Sequence, residues 1–219
     1  MMKKRNWILA AFLLSTSMVA LAQKSAEEPK GKAIVQVFGN FHSGFGHAND
    51  DRGFELDRSY LGYQYDLGHG LEVKGVMDIG QSDDVNDFHR IAYIKNAQIS
   101  WKTGKWTLTG GLISNIQFNV QEKFWGYRYV MKSFQDLYKF GNSADLGVSV
   151  AYKFANWISA DAIVVNGEGY KKVQKNDGLM YGLGTTLTPA ECITMRVYYG
   201  LNEGADEMKK DVQNLATFI

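Results

Sequence analysis

Period-two alternation, repeated along almost the whole chain, constrains this sequence more than any other feature. Residues 71–80 read LEVKGVMDIG, with Leu71, Val73, Gly75, Met77 and Ile79 on one face and Glu72, Lys74, Val76 and Asp78 on the other. Residues 146–154 set Leu146, Val148, Val150, Tyr152 and Phe154 against Gly147, Ser149, Ala151 and Lys153. Residues 192–201 set Ile193, Met195, Val197, Tyr199 and Leu201 against Cys192, Thr194, Arg196 and Tyr198. Successive side chains of an extended chain point to opposite sides, so each segment is a strand with one apolar and one polar face. Ten strands are expected, near 33–42, 54–67, 71–80, 92–102, 106–114, 145–155, 157–165, 179–188, 192–202 and 211–219. Most exceed the five or six residues usual in soluble sheets and suit a tilted strand crossing a bilayer.

The connections sharpen this reading. Gly68-His69-Gly70, Thr103-Gly104-Lys105, Asn156 and Pro189-Ala190-Glu191 read as tight turns. Residues 43–53, 81–91, 115–144, 166–178 and 203–210 read as longer loops, and short and long alternate without exception. A soluble β-sandwich has no reason to gather its long loops at one end. An outer-membrane barrel does, with short turns toward the periplasm and long loops outside. The expected fold is therefore all-β, a transmembrane antiparallel up-and-down β-barrel.

The start of the chain agrees with export. Lys3, Lys4 and Arg5 precede an apolar run from Trp7 to Leu14 and an Ala20-Leu21-Ala22 exit, the three parts of a secretory signal peptide. Residues 1–22 are expected to be removed, the alternative being an uncleaved anchor. Residues 23–32 then form a periplasmic N-terminal segment and residues 33–219 the barrel. Removal leaves 21 basic against 23 acidic side chains, a charge of −2. No basic excess points to nucleic acid. Cys192 is the only cysteine, which excludes an internal disulfide framework and multi-cysteine metal sites.

Aromatic and polar residues are distributed accordingly. Tyr63 and Tyr65 approach the turn at residue 68, Trp101 and Trp106 flank the turn at 103–105, and Phe154 and Trp157 flank Asn156. Such rings suit a membrane–water boundary, although they also fit packing at the bottom of a soluble sheet. The inward face is expected to be polar, with Lys74, Lys153 and Arg196 lining the lumen beside Asp78, Asn96, Gln98, Ser100, Thr109 and Asp161. A watered interior and a sealed hydrogen-bonded core both accommodate that set. Residues 115–144 form an unusually long, aromatic loop carrying Lys123, Arg128, Lys132 and Lys139 against Glu122 and Asp136. Long loops of this kind are usually functional or disordered. Folding inward would bury its rings and narrow the lumen; an external cap would leave its charges solvated.

The export signal, FELDRSYLGYQYDL at 54–67 and GGLISNIQFNVQEKFWGYRYVMKSFQDLYKFGNSADLGVSVAYKF at 110–154 carry a resemblance. The pattern is a glycine-rich strand, a loop with Glu122, Trp125 and Arg128, a Phe134/Asp136 pair, and a strand opening Asp145-Leu146-Gly147. It resembles outer-membrane porins of Bacteroidetes-type bacteria and is similar to the phosphate-selective porin O/P family. The resemblance implies about sixteen strands, so a chain of ten reads as incomplete at its C-terminal side; ten is also an even number, and a closed small barrel is the alternative. It implies an inward-folded third outer loop, with Lys123, Arg128 and Lys132 at a constriction touching anions such as phosphate. It also implies contact with outer-membrane lipid and lipopolysaccharide, and allows a homotrimer.

Chemistry is otherwise sparse. No G-x-S-x-G occurs. His42 and His47 flank a loop without fixed metal geometry. Asp83, Asp84, Asn86 and Asp87 lack the glycine and terminal glutamate of a calcium hand. No catalytic residue, metal or cofactor is expected. The function expected is passive diffusion of small hydrophilic solutes, with a non-conducting structural or partner-binding barrel as the alternative and an outer-membrane enzyme a distant third.

Overall fold

The computed structural model describes residues 30–44, 52–81, 90–128, 130–174, 177–204 and 210–219. The signal peptide read at 1–22, the segment at 23–29, His47 and the 83–87 acidic run lie outside them. Ten strands form one antiparallel sheet in chain order: β1 (Lys30–Ser43), β2 (Arg52–Gly68), β3 (Leu71–Gly80), β4 (Ile91–Thr103), β5 (Trp106–Ser114), β6 (Ala144–Ala155), β7 (Ile158–Val165), β8 (Met180–Ala190), β9 (Ile193–Asn202) and β10 (Val212–Phe218). Between β5 and β6 the chain forms helix α1 (Ile116–Trp125) and a single turn α2 (Phe134–Leu137). Among the described residues β1 and β10 do not pair, so the sheet is not closed.

Most strand boundaries fall within two residues of expectation, and three features differ in kind. Strand β1 begins at Lys30, which pairs with Asp66, so residues 30–32 belong to the sheet and not to a separate segment. Strand β8 runs through Pro189 to Ala190, and the turn falls on Glu191-Cys192. Proline is tolerated there because the β8–β9 register shifts between Leu187 and Ala190, where a ladder donor is not required. The long insertion at 115–144 is partly helical. The Asn115 side chain accepts from Gln117 N–H at 3.0 Å, and Gly126 closes α1 at φ 71 with its N–H on the Glu122 carbonyl. These are an N-cap and a left-handed C-cap around ten residues.

The sheet separates its two faces by chemistry. On one, Val35, Ile94, Val148 and Leu183 are 68%, 60%, 59% and 61% exposed. On the other, Asp78, Asn96, Asp161 and Arg196 are buried. Two small apolar clusters share that inner face: Ile113, Ile163, Val165, Met180 and Tyr198, and separately Phe38, Tyr60 and Val76. Glycine makes room for the larger of these side chains. A Cβ on Gly182 would lie 2.6 Å from the Tyr198 hydroxyl, and one on Gly184 would overlap the Arg196 guanidinium.

The sheet curls strongly. At about 4.8 Å per strand, nine steps would set β1 and β10 roughly 43 Å apart if flat. Yet Arg128 lies 5.6 Å from the Phe38 ring on β1, and Phe124 lies 5.6 Å from the Phe218 ring on β10. Four residues of chain reach at most roughly 14 Å, so both sheet ends bend toward the insertion. Asn214 on β10 also donates to the Phe140 carbonyl at 2.9 Å.

Candidate functional site

The inner face holds two polar assemblies. The first ties the insertion to the sheet. Arg196 on β9 is 1% exposed and donates from Nη1 and Nη2 to the two Asp161 carboxylate oxygens on β7, at 2.7 and 2.8 Å. Its Nη1 also reaches the Thr186 hydroxyl on β8 at 2.7 Å, and its Nε donates to Gln117 Oε1 on α1 at 2.7 Å. Gln117, fully buried, donates in turn to Gln135 Oε1 on α2 at 2.6 Å. A bidentate carboxylate and two further acceptors satisfy a guanidinium that could not otherwise be buried. One connected network therefore spans β7, β8, β9 and both helices.

The second assembly lies on β2–β4. Arg58 pairs with Asp78 at 3.2 Å, and its Nη1 reaches the Tyr60 hydroxyl at 3.4 Å. Tyr170, from the connection between β7 and β8, donates its hydroxyl to the other Asp78 oxygen. That connection is braced where it leaves the sheet: Asp145 accepts from Gly167 and Gly169 N–H at 2.7 and 3.0 Å, and the Tyr170 N–H reaches the Ala144 carbonyl at 3.0 Å. It then crosses to β4, where Lys171 lies 4.8 Å from the Tyr93 ring. Burial pushes the Tyr170 phenol well above its ordinary range, and its bond to Asp78 adds to the shift.

The expected site residues fare differently. Arg128 is in the insertion, but its charge faces Glu122 at 3.4 Å and Asp136 at 3.3 Å, so it is neutralised by two carboxylates. Lys123 and Lys132 are exposed on the insertion and form no ion pair among the described residues. Lys74 lies on the inner face, half-buried, opposite Gln64 and Gln98. Lys153 is exposed beside a shallow recess at the short-turn end, with Lys105, Ser159 and Thr186. Arg196 faces inward as its parity requires, but its guanidinium is sealed under Gln117 and has no contact with solvent. It ties the insertion to the sheet through Gln117 and Asp161.

Alternation alone misses Lys95. Its odd number puts it on the apolar side of β4 with Ala97 and Ile99, but the register slips so that Val76 pairs with Asn96 and Met77 with Ile94. Lys95 is the unpaired bulge residue and turns inward, donating to the Tyr60 hydroxyl at 2.8 Å and lying 4.1 Å from that ring. The available signal was a lysine at an apolar-face position of β4; a bulge turns it to the polar face.

Below these assemblies the inner wall of β4–β5 is a ladder of neutral groups. Asn96 donates to the Ser114 hydroxyl at 2.9 Å, and the Ser100 and Thr109 hydroxyls are 3.1 Å apart. Cys192 is exposed in the β8–β9 turn. Among the described residues no three metal-ligating side chains cluster, and no helix is long and apolar enough to cross a membrane, which says nothing of crossing by strands. No protein-family model, curated protein or solved structure matches the chain.

Proposed function

We propose that the sheet is the wall of a transmembrane β-barrel in a bacterial outer membrane, and that the barrel passes small hydrophilic solutes, small anions among them, by passive diffusion. The observation that carries this reading is the inverted distribution of polarity. Strand after strand exposes Val, Ile, Leu and Met outward while the inner face buries Arg196, Asp161, Asp78 and Asn96. A soluble sheet exposing that much apolar surface would aggregate; a lipid-facing wall requires it. Lipid also requires every backbone group paired, so the free edges of β1 and β10 must be joined in the membrane. The length of the strands, the alternation of short turns with long connections and the rings flanking the turns support the same reading. The resemblance to phosphate-selective porins agrees with it.

Passage in such a barrel needs polar groups that replace part of a solute's hydration without holding it. Neutral amides and hydroxyls such as Gln98, Ser100 and Thr109 suit that role. The test is single-channel recording of the full chain folded into planar bilayers, with fractionation and mass spectrometry of the mature N-terminus. Stepwise conductance and recovery from the outer membrane without residues 1–22 are expected. A folded, inserted protein that never conducts would refute the transport reading.

One observation favours the alternative of a non-conducting barrel. The Arg196–Asp161–Gln117–Gln135 network and the apolar cluster around Ile163 and Tyr198 are dry, so the β7–β9 side of the interior is filled. The Phe38–Tyr60–Val76 cluster and Asp78 fill part of the β1–β3 side as well, so on the transport reading the path runs past the half-buried inner groups Lys74, Lys95, Gln98 and Thr109.

A further inference from the structure

We infer that Lys95, together with Lys74, forms the anion-contacting site of this protein, on the strand wall and not on the insertion. The inference rests on reading the inner face as the side of a solute path, and adds which solute charge that face favours and which atoms set it. The starting point is where positive charge is left over. On the insertion, Arg128 is held between Glu122 and Asp136. On β7–β9, Arg196 is cancelled by Asp161 and shut away from solvent. Neither presents an uncompensated cation to the interior. Lys123 and Lys132 on the insertion and Lys153 at the short-turn end carry no ion pair among the described residues, but all three are exposed and no sheet side chain orients them.

On β3–β4 the balance reverses. The carboxylate oxygens of Asp78 are taken by Arg58 and Tyr170, and Glu72 is engaged by Gln64 at 2.8 Å and Lys102 at 3.9 Å. Lys95 and Lys74 have no ion pair among the described residues, and the register sets them near one another on the inner face: Lys74 lies opposite Gln98, and Val76 lies opposite Asn96, next to the Lys95 bulge. The bulge directs Lys95 inward, and its one hydrogen-bond partner there is a neutral phenol, which orients the ammonium without cancelling it. The Tyr60 hydroxyl accepts from Lys95 and Arg58, so its own proton is free to be donated. Two ammonium groups and a phenol O–H, beside the amide of Gln98, form a half-desolvated surface that suits a small oxyanion. With only one wall built, it binds weakly, as rapid passage requires.

The test is the reversal potential of the full chain in a potassium chloride gradient, for wild type, K95Q, K74Q, K95R and the K123Q/K132Q pair. One elementary charge about 5 Å from an ion in a water-like dielectric changes its local concentration roughly fourfold. Removing it depletes chloride and enriches potassium by that factor each, so the chloride-to-potassium permeability ratio should fall by up to roughly 16-fold in K95Q, fall in K74Q, stay near wild type in K95R and move little in K123Q/K132Q. The differences should shrink at high salt. A conducting K95Q with the wild-type ratio would overturn the inference.

A second measurement separates this from failure of the transport reading: thermal unfolding of folded protein titrated with sulfate at constant ionic strength. If the protein never conducts but sulfate raises the midpoint of wild type and K95R and not of K95Q, the site stands and transport falls. If sulfate does nothing to wild type, the site falls. Should K95Q fail to fold, K74Q carries both readouts.

Discussion

Replacing Gln117 with alanine should detach the insertion while leaving the sheet intact. The substitution removes the Arg196 Nε–Gln117 and Gln117–Gln135 hydrogen bonds, both buried. A bond to a charged group contributes about 1.5–3 kcal/mol and a neutral one about 0.5–1.5, so the docked insertion should lose about 2–4 kcal/mol. At about 1.4 kcal/mol per tenfold, the open population rises roughly 30- to 700-fold. Cleavage of a transiently opened segment follows that population when reclosing is faster than cutting. Limited trypsinolysis reads it directly, because Lys123 lies within α1 and Lys132 follows it. Cleavage at these two sites should accelerate by at least tenfold in Q117A, while the unfolding midpoint of the sheet moves little, since the Arg196–Asp161 pair survives. A folded Q117A whose insertion is cut at the wild-type rate would refute the anchoring role, and leave Phe124–Phe218 and Asn214–Phe140 as the contacts that hold it.

Asp161→Ala should instead damage the wall itself: it leaves a buried guanidinium unpaired, at a cost of about 3–5 kcal/mol, read as a lower denaturant midpoint for refolding into vesicles. Gly184→Ala should cost about 1–3 kcal/mol in the same assay, because the added methyl displaces a guanidinium pinned by Asp161. Leu183→Arg, on the apolar face, should cost about 2–4 kcal/mol near the bilayer midplane, whereas Ser159→Arg, beside the inner recess, should cost far less; equal folding yields would show that the two faces are assigned wrongly. The Tyr170 phenol is raised by folding, so the contribution of its bond to Asp78 is complete below the free tyrosine range near about 10 and is lost as pH climbs through the folded value. A fluorescent label at Lys171→Cys, with the exposed Cys192 replaced by serine, should therefore report release of this connection only above that range, and Tyr170→Phe should abolish the pH dependence.

The strands were legible because alternation is a local property. Residues 71–80 and 106–114 match β3 and β5 residue for residue, since each begins and ends at a glycine or a turn that breaks the period. The extension of β1 to Lys30 was not legible: residues 30–32 do not alternate strongly, and they are extended because the 17-residue β2 offers them Asp66, Tyr65 and Gln64 as partners. The helix in the insertion had a signal in Asn115 and Gly126, which enclose ten residues and suit its two caps. It was masked by its five aromatic and aliphatic side chains, which do not fall on one helical face, and Phe124 and Trp125 remain exposed.

The site was less legible, for a reason that Lys95 and Arg196 illustrate from opposite directions. Parity assigns a face to every strand residue and is correct for Arg196, yet says nothing of whether that residue meets solvent. Its burial depends on Gln117, which is 79 positions away and reaches it only because α1 docks there. Parity fails for Lys95, because a single unpaired residue exchanges the faces locally. The charge on the insertion was read from composition, but composition cannot say that Glu122 and Asp136 converge on Arg128 and not on Lys123 or Lys132. Cations count in a pore by what they lack, a nearby carboxylate, and a missing partner is a property of three-dimensional packing alone. The chemistry of the inner face is thus set by few residues: two carboxylates cancel the insertion's arginine, another cancels Arg196, and one bulge turns a lysine from the apolar face toward the polar one.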